Sequence, residues 1–146
     1  MEELNQEPVT GSKVKRPVLL SILCILTFIG SGMNLISNLF IFFFYSSFKT
    51  VAPDIIKTFK IPGMDTILSA QPFFFLVSAA IYGISLGGAY YMWNLQKRGF
   101  HLYTVAQILL ILALMYFLKL PRPSVADLII SGSFIILYST NLKYMS

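Results

Sequence analysis

Four long stretches without a charged residue dominate the pattern of apolar and polar positions along this chain. The uncharged runs are 17–48, 66–96, 99–118 and 128–142. Because an α-helix needs about 20 residues to cross the hydrocarbon core of a bilayer, these runs predict four membrane-spanning helices. The fourth run is short unless the helix begins at Pro123. The predicted spans lie near 18–44, 71–95, 100–119 and 123–142.

The loop between the first two spans, residues 46–70, has a different pattern. Within it the sequence predicts a short amphipathic helix over 53–61, where Pro53 suits a first helical turn. Ile55, Ile56 and Phe59 fall on one apolar stripe, and Lys57 and Lys60 are interleaved with the apolar residues of this segment. Such a helix typically lies in the membrane interface. We favour a packing lid over the bundle, and a ligand-binding lid is the alternative.

Composition supports the membrane assignment. Hydrophobic residues make up 56% of the chain and charged residues 12%, whereas an ordinary soluble domain is about 25% charged. The aromatic content of 15% argues against disorder, because disordered chains are poor in aromatic residues. We therefore expect an all-α fold: an integral membrane four-helix bundle forming a single domain over 1–146, with a polar lead at 1–16.

The net charge of +5 does not indicate a nucleic-acid partner, because the basic residues stand singly or in pairs beside the apolar runs and form no patch. The doublets at 15–16 and 97–98 lie directly at predicted helix ends. Positive charge at such ends favours the cytoplasmic side of the membrane. We therefore expect a multi-pass protein with both termini in the cytoplasm and the lipid bilayer as its first partner.

Small residues recur along the second span. Ala79, Gly83 and Gly87 follow one another at intervals of four residues, with Gly88 beside them. Small side chains at this spacing let two helices approach closely in lipid. The stripe predicts a tight helix crossing, either within the protein or between two copies in a homo-oligomer.

Polar residues inside the spans form a second candidate feature. Asn34 and Asn38 are four residues apart on span one, and amides in hydrocarbon need hydrogen-bond partners. The expected partners are Ser78, Tyr82 and Ser85 of span two and Gln107 of span three. We favour hydrogen bonding between helices, which is common in membrane bundles. The alternative is a polar path or ligand pocket at mid-membrane, and the candidate cluster comprises Asn34, Asn38, Gln107 and Asp127.

Groups capable of catalysis are scarce. Asp127 lies near the start of span four, where a carboxylate interacts favourably with the helix dipole and can pair with Arg122 or Lys119. The chain has no paired carboxylates, no phosphate-binding Gly-rich motif and no His and Cys spacing typical of a metal site. A single Cys24 excludes an intrachain disulfide. The sequence therefore predicts no catalytic, cofactor or metal site and no enzyme.

Two segments carry a resemblance. Residues 15–26 read KRPVLLSILCIL, and residues 82–100 read YGISLGGAYYMWNLQKRGF. They resemble the "KRP…ILxIL" start and the "G…GLWxLKKWG" junction of a loose group of small four-span prokaryotic membrane proteins with no known activity. Arg98-Gly99 stands where the group often has a second aromatic residue. The resemblance implies a four-span fold in the bacterial inner membrane and no catalytic residue.

Together these features favour a non-enzymatic membrane protein that acts as a homo-oligomer or as an accessory subunit of another membrane protein. The alternative is a small transporter or channel with a polar path through the bundle. The small-residue stripe motivates the first hypothesis, and the candidate polar cluster motivates the second.

Overall fold

The computed structural model of the chain describes residues 16–60, 67–119 and 121–146. These residues form five α-helices and one short 3₁₀ helix, without a β-strand among them, which confirms the all-α prediction. Most of the predicted polar lead, and the part of the first loop at 61–66, lie outside the described residues.

Four of the helices correspond to the predicted spans, and each begins and ends within three residues of the predicted bounds. They are α1 (Val18–Phe43), α3 (Pro72–Trp93), α4 (Lys97–Phe117) and α5 (Val125–Thr140). A 3₁₀ helix, Leu142–Tyr144, follows α5. By length and composition α1, α3, α4 and the segment Val125–Tyr144 can each cross a membrane.

The remaining helix, α2 (Tyr45–Phe59), differs from the prediction because it begins directly after α1 and not at Pro53. Only Phe44 separates the two helices, with non-helical backbone angles. Tyr45 and Phe48 fix the start of α2 through aromatic contacts with Phe75 of α3, at ring-centroid distances of 6.2 and 6.1 Å. Pro53 is therefore an internal residue of a longer helix. The helix remains strongly amphipathic, as predicted.

Neighbouring helices run antiparallel, so α1 begins where α5 ends. We call this end of the bundle the terminal end. A buried cluster there joins the start of α1 to the end of α3, the start of α4 and the end of the chain. Its members are Leu20, Leu23, Cys24, Met92, Tyr103, Tyr138 and Met145. The opposite end, which we call the loop end, is filled by Ala70, Phe74 and Phe75.

The bundle is packed unevenly. Helix α3 packs closely along both α1 and α4, whereas α5 contacts α4 and α1 far less. Nine residues of α3 are buried, but of the 16 residues of α5 only Tyr138 is buried. The fold is thus a compact three-helix core with α5 attached mainly at the terminal end.

Helices α3 and α4 approach each other closely at Gly88 and Gly99. A Cβ atom added at Gly99 would come within 2.5 Å of the Gly88 carbonyl oxygen, and one added at Gly88 would lie 2.8 Å from the backbone nitrogen of Tyr103. The backbones are close enough that only glycine fits at either position. This crossing holds the tight turn between α3 and α4.

The predicted stripe packs inside the chain. Ala79 is buried. A Cβ at Gly83 would meet Leu35 of α1 at 3.5 Å, and one at Gly87 would meet Leu102 of α4 at 3.7 Å. Both are ordinary contact distances, so the tightest approach falls at Gly88, beside the stripe and not on it.

Candidate functional site

Polar side chains from four helices converge on a half-open cavity of about 210 Å³ inside the bundle. Half of its lining is polar: Thr27, Ser31, Tyr82, Tyr103, Gln107, Asp127 and Ser131. The other half is apolar or glycine: Leu26, Gly30, Leu110, Ile111, Leu114, Ile130 and Phe134. Helices α1 and α5 contact each other little. The cavity lies partly in the gap between them, since both helices contribute side chains to its lining.

A hydrogen bond closes the cavity toward the terminal end. The hydroxyl groups of Thr27 on α1 and Tyr138 on α5 lie 2.7 Å apart, and both side chains are buried. The Tyr138 ring also packs edge-on against Tyr103 of α4, with ring centroids 5.1 Å apart. These contacts join α1, α4 and α5, and they hold α5 to the core.

Two further hydrogen bonds cross between helices at the middle of the cavity. The Ser131 hydroxyl of α5 donates to the side-chain oxygen of Gln107 on α4 at 2.9 Å. The hydroxyl groups of Ser31 on α1 and Ser85 on α3 lie 3.1 Å apart. Each pair satisfies polar groups that hydrocarbon would leave without partners.

Asp127 lies at the outer end of the cavity, toward the loop end of the bundle. It is exposed and belongs to the first turn of α5, as predicted. It also lines a smaller adjoining cavity of about 40 Å³, together with Ile111, Leu114, Pro123 and Ser124. Within the described part of the chain no hydrogen bond or ion pair engages its carboxylate, so the expected pairing with Arg122 or Lys119 is not formed.

The two asparagines of the predicted cluster do not line this cavity. The Asn34 side-chain amide donates to the carbonyl oxygen of Gly30 at 2.8 Å, and that of Asn38 donates to the carbonyl oxygen of Asn34 at 2.7 Å. Short polar side chains in a helix can reach the carbonyl four residues back. The amides therefore bond within α1, not to the expected partners on α3 and α4.

The structure thus brings Gln107 and Asp127 to one cavity and leaves Asn34 and Asn38 outside it. The sequence prediction did not include Thr27, Ser131 or Tyr138. A signal for two of them is present in the spacing of α5, since Asp127, Ser131 and Tyr138 follow a helical repeat of four and seven residues and so share one face.

The cavity offers groups for hydrogen bonding. Hydroxyl groups, one amide and one carboxylate can accept or donate hydrogen bonds. Among the described residues no three His, Cys, Asp or Glu side chains gather as metal ligands would. Asp127 is the one carboxylate among the described lining residues, and the other ionisable side chains there are the phenols of Tyr82 and Tyr103.

Comparison with protein-family models, with curated proteins and with solved structures finds no match to this chain. The resemblance to small four-span prokaryotic membrane proteins therefore stays a prediction. A functional conclusion has to come from the geometry of the bundle.

Proposed function

We propose that the chain is an integral membrane four-helix bundle with α2 lying in the membrane interface. The support is the surface of the helices. Large apolar side chains are exposed along α1, α4 and α5, among them Ile29, Leu112 and Ile129, each more than half exposed. So much apolar surface is unfavourable in water, and lipid covers it without a free-energy penalty.

We further propose that both termini face the cytoplasm of a bacterial cell, across its inner membrane. Arg16, Lys97 and Lys143 all lie toward the terminal end. There the backbone N–H of Lys97 donates to the carbonyl oxygen of Ser146 at 3.1 Å. The Arg16 guanidinium stands 4.3 Å from the centroid of the Trp93 ring. A basic and aromatic end of this kind suits the cytoplasmic interface.

We infer that the protein acts by binding another membrane protein, or a second copy of itself, through α5. The observation that carries this inference is how little of that helix is buried, since Tyr138 alone of its 16 residues is. Its outer face, which turns away from the cavity, is formed by Val125, Ile129, Gly132 and Ile136, and the three larger residues are 70%, 62% and 64% exposed.

Gly132 gives this face the shape of a helix-docking surface. A Cβ atom at Gly132 would meet nothing within 4 Å, so the glycine is not required by packing inside the chain. It leaves a notch between Ile129 and Ile136 into which a second helix can approach closely. Because helices in lipid associate through close packing at small residues, a partner helix would supply the contacts that α5 lacks.

Cross-linking in intact membranes, followed by native gels after solubilisation, tests this proposal. We expect the wild-type protein to migrate as a complex, and Gly132→Leu to shift it toward the monomer because leucine fills the notch. Gly32→Leu is the matched control, since Gly32 is also open, with nothing within 4 Å of an added Cβ, but lies on α1. An exclusively monomeric wild type, or equal effects of the two variants, would contradict the proposal.

A second candidate function is a small transporter, and the polar cavity is the observation that favours it. The cavity reaches from Asp127 inward to the Thr27–Tyr138 hydrogen bond, which closes it toward the terminal end. Opening of that bond would extend the polar path. Flux in liposomes should fall in Asp127→Asn and stay unchanged in Asn38→Leu, because Asn38 lies outside the cavity. Equal flux in both variants and the wild type would rule this function out.

A further inference from the structure

Among the residues that the structure describes, Asp127 is the only charged one that lines the central cavity. A carboxylate attracts a positive charge, and the attraction is stronger where apolar walls take the place of water. No described cationic side chain lies within ion-pair distance of it. The cavity thus offers a carboxylate that no described cationic side chain pairs with.

The walls of the cavity suit an organic cation. Aromatic side chains from three helices, Tyr82, Tyr103 and Phe134, line it, and aromatic rings stabilise cations that approach their faces within about 6 Å. Leu110 and Ile111 add apolar surface. Hydroxyl and amide oxygens, such as that of Gln107, can accept hydrogen bonds from an ammonium group.

A bare metal ion fits this lining less well. Hard cations take about six or more oxygen ligands at short range, whereas the polar groups here are spread over four helices and alternate with apolar side chains. The volume of about 210 Å³ is also below the range of about 300–1,000 Å³ typical of sites for drug-sized ligands. A ligand that combines one positive charge with a short carbon chain matches both the size and the lining.

We propose that this cavity binds a small alkylammonium ion, with the ammonium group at Asp127 and the carbon chain directed inward along Leu110 and Ile111. The inference goes beyond the binding of a partner protein and stands without it. The cavity and the outer face of α5 lie on opposite sides of that helix, so the two sites are separate.

The test is titration of butylammonium chloride into the purified full-length protein in nanodiscs of zwitterionic lipid, followed calorimetrically. We expect saturable binding that 1-butanol does not reproduce. Asp127→Asn should weaken it about tenfold or more, because the charge-assisted contact is lost. Asp54→Asn, which removes an exposed carboxylate of α2 outside the cavity, should leave the affinity unchanged.

A second variant keeps the proposal testable if Asp127→Asn does not fold. Gly30→Leu fills the cavity from α1 without a clash, since nothing lies within 4 Å of an added Cβ there, and it should abolish binding. Gly32→Leu, one position outside the lining, should not. Binding of butanol as tight as that of butylammonium, full displacement by sodium at physiological ionic strength, or unchanged affinity in both Asp127→Asn and Gly30→Leu would overturn the proposal. Gly132→Leu should bind butylammonium with the affinity of the wild type, because Gly132 lies outside the lining. Failure of cation binding can thus be distinguished from failure of partner docking.

Discussion

Two buried threonine hydroxyl groups in the bundle differ in their hydrogen bonding. The Thr27 hydroxyl is buried and lies 2.7 Å from that of Tyr138. The Thr104 hydroxyl on α4 is also buried, but within the described part of the chain it has no hydrogen-bond partner. A buried polar group without a partner destabilises a folded protein. Replacement of threonine by valine should therefore destabilise the protein at Thr27 but not at Thr104.

We expect Thr27→Val to lower the free energy of unfolding by about 1–2 kcal/mol, because it removes the hydrogen bond between the Thr27 and Tyr138 hydroxyl groups. Thr104→Val should leave that free energy unchanged or raise it by up to about 1 kcal/mol. Unfolding in mixed micelles measures both. A double-mutant cycle of Thr27→Val with Tyr138→Phe should show coupling, and strictly additive effects would show that the two hydroxyl groups do not interact.

At the scale of the helices, the spans themselves follow from sequence, but their contacts do not. Length and hydropathy define a span because a bilayer has a fixed thickness. Which face of a helix meets which neighbour depends on packing, and hydropathy carries little information about it when every face is apolar. For this reason the sequence predicts the close approach along the stripe, whereas in the structure the backbones come closest at the neighbouring Gly88.

Polar side chains raise the same difficulty. Gln107 and Asp127 could be recognised as candidates from the sequence, together with Asn34 and Asn38, because charged and amide groups are rare in predicted spans. The amides of Asn34 and Asn38 are equally unusual in a span, yet each donates to a backbone carbonyl oxygen of α1 itself. A sequence cannot distinguish a bond to the carbonyl four residues back from one to a neighbouring helix, since both satisfy the amide.

The Gly88–Gly99 crossing leads to a prediction about α3 and α4. Gly99→Ala and Gly88→Ala should each destabilise the protein by about 1–3 kcal/mol, because the added methyl group meets backbone atoms that cannot move aside. Gly83→Ala is the control, since its methyl group would sit at 3.5 Å from the flexible end of Leu35. Thermal unfolding in one detergent compares the three, and a similar loss in all of them would contradict the close crossing.

Helix α2 carries the prediction about the interface. Phe59, at its end, is 71% exposed and lies on the apolar face, whereas Lys57 lies on the polar face. With Trp93→Phe as background, Phe59→Trp should fluoresce at short wavelength and be quenched by lipids brominated near the headgroup. Lys57→Trp should resemble tryptophan in water. Equal quenching of the two variants would show that α2 does not lie flat in the interface.

At the scale of the whole molecule, α5 has two faces with different surroundings, one toward the cavity and one on the outside of the bundle. One face closes the polar cavity through Ser131 and Tyr138, and the opposite face leaves Ile129 and Ile136 exposed beside Gly132. Because α5 is attached mainly at the terminal end, contacts on its outer face can influence the gap between α1 and α5. The uneven packing of the bundle is therefore the feature from which the proposed binding function follows.

The most direct test of this account is photo-cross-linking in intact membranes from a benzophenone side chain placed at Ile129, compared with one at Leu112. Both residues are more than half exposed, at 62% and 55%, but Leu112 lies on the exposed side of α4, which packs closely against α3. We predict a protein adduct of defined mass from Ile129, lost in Gly132→Leu, and only lipid adducts from Leu112. Lipid adducts alone from both positions would contradict the central claim that α5 docks a partner helix.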